Sequence, residues 1–242
     1  MSTMANSSGY SSRFLAWAYA AASPLYDLIV WWGFLPLGGE RNCRRTFVRW
    51  LRLEPGMRVV SLCCGTGTME RAILAEVPGV EVTGVDLGTG QLARARKTSP
   101  NPRLRYLHAD ATATGLEGGA HDRVLISLAL HEMAGPTRLA VLREARRLCA
   151  PDGRVLAIEH GRPATRRSRL LRALWWFFWI PGNPEVPTSR DLRARGLDRE
   201  MTECGLRVTS HEVTSPDWIE AFCASPTGLA RRTGPTGYGI SK

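Results

Sequence analysis

One stretch near residue 60 constrains the fold more than any other: an apolar run that ends in a glycine-containing turn and continues as a helix. The run, 59–62, reads Val-Val-Ser-Leu, and the turn, 63–67, reads Cys-Cys-Gly-Thr-Gly. In the next segment, 68–77, apolar residues recur at helical spacing. Glycine lets a ligand approach the backbone closely, and a helix start offers free N–H groups. The pattern predicts a strand, a tight turn and a helix N-terminus suited to a ligand.

A second predicted strand, 81–85, ends in Asp86. A carboxylate at the carboxyl end of the second strand is suited to accept hydrogen bonds from a ribose diol. The Gly-Thr-Gly turn by itself is equally typical of an ordinary strand-to-helix connection. Together with an aspartate about 20 residues later it is a far more specific pattern. The two features predict a nucleoside-binding half-site.

Strands and helices alternate through the middle of the chain. Further strands are predicted at 104–108, 123–128, 154–159 and 207–213, with a turn at 151–153 before the fifth. Short helices between buried strands require a parallel sheet with right-handed crossovers. The predicted fold is therefore α/β: a doubly wound, mostly parallel, Rossmann-like sheet with an N-terminal helical lid. No clear seventh strand follows the sixth, so six or seven strands are expected, with an irregular antiparallel edge.

At 242 residues the chain fits one such domain with a modest appendage. Residues 1–40 are predicted to form the helical lid, because Pro and Gly interrupt their apolar run before it reaches the roughly 20 residues of a membrane span. The domain itself is predicted at 41–223, with an Arg/Trp-rich insertion at 162–187. The last segment, 224–242, is rich in Gly, Pro and Thr and is expected to be a flexible tail.

The insertion is the most unusual composition in the chain. Several arginines between 162 and 172 lead into an aromatic cluster of Trp and Phe at 175–179. An arginine-rich turn followed by such a cluster is typical of an interfacial membrane segment, and it is too short to span a bilayer. The same aromatics could also form the wall of a substrate pocket or a dimer contact. The three alternatives stay open at this point.

The net charge of +10 comes almost entirely from arginine, since Lys97 and Lys242 are the only lysines. Arginine-rich helix faces are often simply solvated, but they also favour anionic headgroups and nucleic acid. Six cysteines occur without CxxC or CxxH spacing, so no metal site is predicted. They indicate buried free thiols in a reducing compartment. Residues 1–12 lack the pattern of a signal peptide, which favours a cytoplasmic protein that is peripheral, if anything, at a membrane surface.

Five motifs fall in the order and spacing of a known family; they lie at 59–67, 84–87, 108–111, 122–127 and 148–156. Over about residues 40–215 the chain resembles the class I S-adenosylmethionine-dependent methyltransferases. Within them it is most similar to the small-molecule branch that includes the ubiquinone and menaquinone C-methyltransferases. The resemblance implies S-adenosyl-L-methionine as the cofactor.

The resemblance also implies which residues contact that cofactor. The turn 63–67 should pass under its methionine part, Asp86 should hold the ribose hydroxyls, and Leu87 should pack on the adenine. The adenine amino group and ring edge, and then the sulfonium, are assigned to the ends of the third and fourth strands. The complete implied set is Ser61, Cys63, Cys64, Gly65, Thr66, Gly67, Asp86, Leu87, Asp110, Ala111, Ser127 and Leu128.

Two positions depart from the family. An acidic residue usually stands where this chain has Ser61, and a glycine where it has Cys63. Serine can form a hydrogen bond but offers no charge to the ammonium group of the cofactor. The cysteine side chain is expected to narrow the turn.

Methyl transfer from a sulfonium needs mainly an in-line nucleophile and the exclusion of water. A base helps when the acceptor is a phenol or an enolisable carbon. The candidates follow two strand ends: His131 and Glu132 after the fourth strand, and Glu159 and His160 after the fifth. His131 is the leading candidate, since a neutral imidazole can take a proton near pH 7, and Glu132 and His160 complete the predicted catalytic set. The alternative is that these side chains only orient the following helix or loop.

The predicted activity is methylation of a small lipophilic acceptor, quinone-like or phenolic. Alternatives are methylation of a phospholipid headgroup or of nucleic acid, or a non-catalytic module that binds the cofactor or a partner. The absence of an Asn-Pro-Pro-Tyr-like tetrapeptide after the fourth strand argues against nucleic acid. The altered residues Ser61 and Cys63 keep the non-catalytic alternative open.

Overall fold

Seven strands form a single sheet in the computed structural model, which describes residues 34–162, 164–177, 186–214 and 216–228. Of the predicted lid, only 34–40 lie within these ranges. The aromatic cluster is described as backbone up to Phe177, and the chain from 229 onward lies outside the described residues.

The elements alternate as the sequence predicts. The strands are β1 (Arg58–Leu62), β2 (Glu81–Asp86), β3 (Leu104–His108), β4 (His121–Ser127), β5 (Cys149–His160), β6 (Leu206–Val213) and β7 (Ile219–Pro226). The α-helices are α1 (Glu40–Leu51), α2 (Thr68–Glu76), α3 (Thr89–Thr98), α4 (Gly135–Leu148), α5 (Arg166–Phe177), α6 (Val186–Arg195) and α7 (Leu197–Glu203). Short 3₁₀ helices occur at Leu35–Leu37 and Leu130–Glu132.

The strand order is β3-β2-β1-β4-β5-β7-β6. The strands β1 to β5 are parallel to one another, whereas β7 is antiparallel to both β5 and β6. Helices connect the parallel strands, as crossovers of this kind require. The predicted doubly wound, mostly parallel fold is confirmed.

The antiparallel edge contains a seventh strand, and it has the expected irregularity, since the register between β6 and β7 shifts between Val208 and Ser210. Strand β7 lies between β5 and β6, and its register with β5 runs without a break from Val155↔Ala224 to His160↔Ile219. Its small residues, such as Ala221 and Ala224, have weak strand preference, so the sequence pattern hides it. It forms a strand because it pairs with β5 on one side and with β6 on the other. It continues to Pro226, past the predicted start of the tail at 224, and the division into lid, domain and tail stays a prediction.

The turn predicted at 151–153 is instead an irregular part of β5. His121 pairs with Cys149, but the next pair is Arg123 with Arg154, so the register shifts between them. Extra residues in one strand of a pair form a bulge, which accommodates Pro, Asp and Gly without ending the strand. The fifth strand therefore begins earlier than predicted.

Two apolar cores cover the two faces of the sheet. Val60 and Leu62 of β1 belong to the core that packs against α4, α6 and α7, whereas Val59 belongs to the core beneath α1 and α2. Because side chains alternate along a strand, Ser61 lies on the same face as Val59. The hydroxyl of Ser61 is therefore directed to the side of the sheet that α1 and α2 cover.

Candidate active site

The candidate site lies at the carboxyl ends of β1, β2 and β4. Strand β1 is hydrogen-bonded to β2 on one side and to β4 on the other, so the order of the strands reverses there. Open α/β sheets bind their ligands in the crevice at such a switch point. The predicted site residues at 61–67, 86–87 and 127–128 all come to this edge.

The turn after β1 has two glycines with left-handed backbone angles. Gly65 has φ +55° and Gly67 has φ +74°. A Cβ on Gly65 would meet no atom of the described residues within 4 Å, so a ligand can approach the backbone there. A Cβ on Gly67 would lie 2.0 Å from the hydroxyl oxygen of Tyr106. Gly65 is thus accessible to a ligand, whereas at position 67 the packing of Tyr106 leaves no room for a side chain.

Asp86 ties the turn to the end of β2. Its Oδ2 accepts a hydrogen bond from the Gly65 N–H at 2.7 Å, and its Oδ1 accepts one from the Gly88 N–H at 2.7 Å. Each carboxylate oxygen has a second lone pair, so both can still accept from a pair of hydroxyls. The arrangement suits the ribose contact that the sequence predicts.

The residues predicted to lie beside an adenine differ in their exposure to solvent. Leu87 is 61% exposed, so its side chain is accessible for packing against an adenine ring. Ala111 is buried, and Asp110 is exposed. Both hydrogen bonds from Thr112, from its N–H and its hydroxyl, fall on Oδ1 of Asp110 at 2.8 Å. These two bonds fix the position of the exposed carboxylate.

Two residues with side chains have left-handed backbone angles at this edge. Cys63 has φ +58° and Leu128 has φ +53°. Such angles cost energy for any residue with a Cβ and tend to occur at functional sites. The Leu128 N–H is fixed by a 2.8 Å bond to the carbonyl of Ile158, and Ser127 beside it is half-buried. The predicted departure at Cys63 is thus a cysteine in a conformation that favours glycine.

The electrostatic environment of the turn suits a cationic ligand. Burial raises the pKa of the Cys63 thiol, and the carboxylates of Asp86, Glu132, Asp110 and Glu159 raise it further. Four acidic groups therefore act on one point of the turn, although the chain carries a net charge of +10. The site thus combines the accessible backbone at Gly65, the carboxylate of Asp86 and a negative local potential. A nucleoside that carries a sulfonium fits this combination.

A buried acid–base pair lies at the ends of β4 and β5. His131, in the 3₁₀ helix after β4, is 6% exposed, and its Nδ1 lies 2.8 Å from Oε2 of Glu159 at the end of β5. The other oxygen, Oε1, accepts a hydrogen bond from the Leu130 N–H at 2.7 Å. Burial alone would raise the pKa of Glu159, but the rings of His131 and His160 and the Leu130 N–H lower it below its usual range.

The predicted catalytic residues are brought together only in part. The rings of His131 and His160 lie edge to face with their centroids 4.5 Å apart. Glu132 is exposed, and its carboxylate raises the pKa of the Cys63 thiol. Glu159 is the central partner of both histidines. Sequence reasoning noted its position at a strand end but did not include it in the predicted set.

A buried arginine positions the His131 segment. Arg138 of α4 is 0% exposed and donates to Glu200 and Asp191 at 2.6–2.9 Å. It also donates to the carbonyl of Met133 at 2.7 Å, just after the 3₁₀ helix that carries His131. Sequence reasoning missed this role because Arg138 is one of many arginines on predicted helices. The only indication in the sequence is that Arg138 falls on the apolar face of its helix.

Comparisons with known proteins identify the family. Residues 59–153 match the model of a family described as a methyltransferase domain. A 2-phytyl-1,4-naphtoquinone methyltransferase of Thermosynechococcus vestitus is 31% identical over 173 residues, covering 69% of this chain and 72% of that protein. A demethylmenaquinone methyltransferase of Beutenbergia cavernae is 36% identical over 129 residues, covering 53% of this chain and 51% of that protein.

A solved structure supports the fold. It is a methyltransferase in calicheamicin biosynthesis, in its SAH-bound form, with a TM-score of 0.60 and 18% identity over 77% of this chain and 54% of that chain. The naphtoquinone enzyme is more than 30% identical and is similar over more than two thirds of both chains. The chain therefore belongs to the class I S-adenosylmethionine-dependent methyltransferases, and within that family it resembles the enzymes of quinone biosynthesis.

Proposed function

We propose that the protein methylates a small lipophilic acceptor with a quinol-like or phenolic ring, and that His131 is the general base. The observation that carries this proposal is the buried His131–Glu159 pair, which lies at the strand ends beside Leu128. Two relatives named for quinone substrates support the acceptor class. Cofactor binding is assigned to the twelve residues named from the sequence, at 61, 63–67, 86–87, 110–111 and 127–128.

Glu159 determines which nitrogen of His131 can act. Because its pKa is lowered, Glu159 is a carboxylate near neutral pH and accepts the hydrogen bond from Nδ1. Nδ1 must then carry the proton, and Nε2 is the basic nitrogen. The same carboxylate stabilises the imidazolium that forms when Nε2 takes a proton.

S-adenosylmethionine, when bound, supplies an electrophilic methyl group on sulfur with a good leaving group. In the proposed reaction, Nε2 of His131 removes the hydroxyl proton of the acceptor, and electron density moves to the ring carbon that attacks. The ring carbon would take the methyl group as the methyl–sulfur bond breaks with its electron pair left on sulfur, and loss of the proton on that carbon would restore the aromatic ring. General-base help of this kind contributes about 10²–10⁴-fold to rate. The ring of His160, edge to face with His131, is assigned to the wall of the acceptor site.

Helix α5 is the part of the described chain best suited to meet a lipid surface. Leu170 and Leu171 are 61% and 42% exposed, and the arginines 166, 167 and 169 are exposed on the same helix. Asp217 fixes the start of the helix by accepting from the Ala164 N–H and the Ser168 hydroxyl. Within the described ranges, no helix is both long and apolar enough to cross a bilayer. We assign α5 to peripheral contact with an anionic membrane that contains the acceptor.

The test is an acceptor screen with purified protein, S-adenosylmethionine and a panel of reduced quinones, phenols, phospholipids and RNA, with methylated product detected by mass spectrometry. His131→Gln should lower kcat on the active acceptor by about 10²–10⁴-fold. It should leave cofactor affinity within about threefold, which is less than 0.7 kcal/mol. His211→Gln is the matched control, because His211 is also paired with a glutamate, at 2.9 Å, but is exposed on the outer strand.

Product on quinols or phenols that is lost in His131→Gln alone supports the proposal. Turnover of phospholipid or RNA in their place, or full activity in His131→Gln, contradicts it. The membrane part is tested in the same assay with the acceptor held in anionic vesicles. Changing Leu170 and Leu171 to serine should lower turnover in vesicles and not with a detergent-dispersed acceptor; equal turnover in both would exclude a role for α5.

A further inference from the structure

Glu70 is a buried carboxylate that the proposed reaction does not use. It is the third residue of α2, 0% exposed, and neither of its carboxylate oxygens has a hydrogen-bond partner within the described ranges. A carboxylate taken out of water is strongly unfavourable unless it is paired and hydrogen-bonded. A buried carboxylate without a partner lowers the stability of the fold, which points to a function for the group.

The surroundings of Glu70 place it under the cofactor turn. Burial raises the pKa of Glu70 above its usual range, and the nearby Ser61 hydroxyl of β1 offsets this only in part. Glu70 in turn raises the pKa of the Cys64 thiol, second only to burial, and burial and Glu70 together raise the pKa of Tyr106 to about 12. Ser61 and Cys64 are both in the set that the resemblance assigns to the cofactor. Glu70 therefore lies on the face of β1 where the family usually has its acidic side chain.

The cations nearest to Glu70 are engaged elsewhere. Arg44 donates from Nε to Glu40 at 2.8 Å, and its Nη2 lies 2.7 Å from the same oxygen. Nη1 of Arg71 donates to the Thr66 carbonyl and the Thr98 hydroxyl, both at 2.9 Å. Both arginines lower the pKa of Glu70 from a distance, yet neither forms an ion pair with it among the described residues. The carboxylate is thus left for a cation that the described residues do not supply.

We propose that Glu70 holds the ammonium group of S-adenosylmethionine, in place of the acidic residue that the family usually has where this chain has Ser61. The negative charge has moved from β1 to the first turn of α2 and remains on the same face of the sheet. Ser61 then serves as a neutral hydrogen-bonding neighbour of the pair. The inference concerns cofactor binding only and does not depend on which acceptor is methylated.

The test compares two ligands that differ in the amino-acid part. S-adenosylhomocysteine carries the ammonium group, whereas 5′-methylthioadenosine retains the nucleoside and lacks the amino acid. Glu70→Gln should weaken calorimetric binding of S-adenosylhomocysteine by about 10- to 100-fold, the effect of losing a charged hydrogen bond. Affinity for 5′-methylthioadenosine should change by less than about threefold. Glu76→Gln, on the exposed end of the same helix, is the control and should alter neither affinity.

Stability provides the second readout. If Glu70 is kept for the ligand, Glu70→Gln should raise the melting temperature of the ligand-free protein, because an unpaired buried carboxylate is removed. Adding Ser61→Asp to Glu70→Gln should restore binding of S-adenosylhomocysteine by returning the charge to β1. Equal weakening of both ligands, unchanged binding of S-adenosylhomocysteine, or a lower melting temperature without ligand would each overturn the proposal. None of these results depends on turnover, so they are distinct from failure of the acceptor assignment.

Discussion

Gly65 and Gly67 lie in one turn and both have left-handed backbone angles, but the space around them differs. In the part of the chain that the structure describes, no atom lies within 4 Å of a Cβ added to Gly65, whereas Gly67 faces the hydroxyl and ring of Tyr106. The same Gly-Thr-Gly pattern therefore combines a position for ligand access with a position for packing. The sequence predicts the turn and its role, but not this division, because Tyr106 comes from β3, far along the chain.

The division predicts different consequences for alanine at the two positions. Gly65→Ala should cost only the backbone strain, about 1 kcal/mol of unfolding free energy, and weaken S-adenosylmethionine binding at least about tenfold by blocking the backbone. Gly67→Ala adds a clash with Tyr106 and should cost about 3 kcal/mol. Urea unfolding and calorimetry measure the two effects. A Gly67→Ala protein as stable as Gly65→Ala, or Gly65→Ala with unchanged affinity, would contradict this assignment.

The catalytic residues show the limit of local reasoning at the same scale. His131 and His160 were predicted from their positions after strands, and the structure brings their rings together. Glu132 has the same local position but is exposed, since its side chain is one residue further around the 3₁₀ helix. Glu70 could not be predicted, because a glutamate early in a helix is normally a favourable charge at the helix N-terminus.

At the scale of elements, the site depends on how the segment after β4 is attached to α4, α6 and α7. Arg138 joins them through the Met133 carbonyl, Asp191 and Glu200, and Arg195 donates to Glu200 as well at 2.8 Å. Glu144 similarly ties the loop before β4 to α4, by accepting from the Thr114 N–H and hydroxyl. These buried polar links fix the loops that carry Asp110 and His131.

We expect Arg138→Met to lower the free energy of unfolding by about 3 kcal/mol, because Glu200 loses its main partner in the interior. The loss should be at the low end of the usual range, since Arg195 still donates. Replacing Glu200 as well, by leucine, should recover much of it, because a well-packed apolar pair is often as stable as a buried ion pair. Arg143→Met, on the exposed face of α4, is the control and should change stability by less than about 0.5 kcal/mol. Chemical denaturation measures all three, and additive losses in the double variant would contradict the account.

Element prediction succeeded where periodicity was strong and failed where tertiary pairing decides. The parallel core and its crossovers follow from alternating buried runs and helices, and they are confirmed. Strand β7 has no clear signal in the sequence because its small, apolar side chains give no alternation, and it forms a strand through its pairing with β5 and β6. The sequence at 151–153 predicts a turn, but the structure has a bulge there, because Pro, Asp and Gly are common in both.

At the scale of the whole molecule, the net charge and the charge of the site have opposite signs. The chain carries +10, yet Asp86, Asp110, Glu132 and Glu159 all act on the turn at Cys63. Arginines dominate the exposed helices, as on α5, so the overall charge reports on the surface and not on the site. The sequence gives that total without its distribution, which is why a basic protein can have an acidic pocket for a cationic cofactor.

The most direct test of the account is a calorimetric titration of S-adenosylmethionine into the wild-type protein, Asp86→Ala and Asp122→Ala. Asp122 is the matched control, because it also accepts from a backbone N–H at 2.7 Å, that of Arg58, but at the opposite end of the sheet. The account predicts saturable binding that Asp86→Ala weakens about 100-fold, as two charged hydrogen bonds are lost, and that Asp122→Ala leaves unchanged. No binding at about 1 mM cofactor, or equal weakening by both variants, would contradict a cofactor site at the ends of β1 and β2.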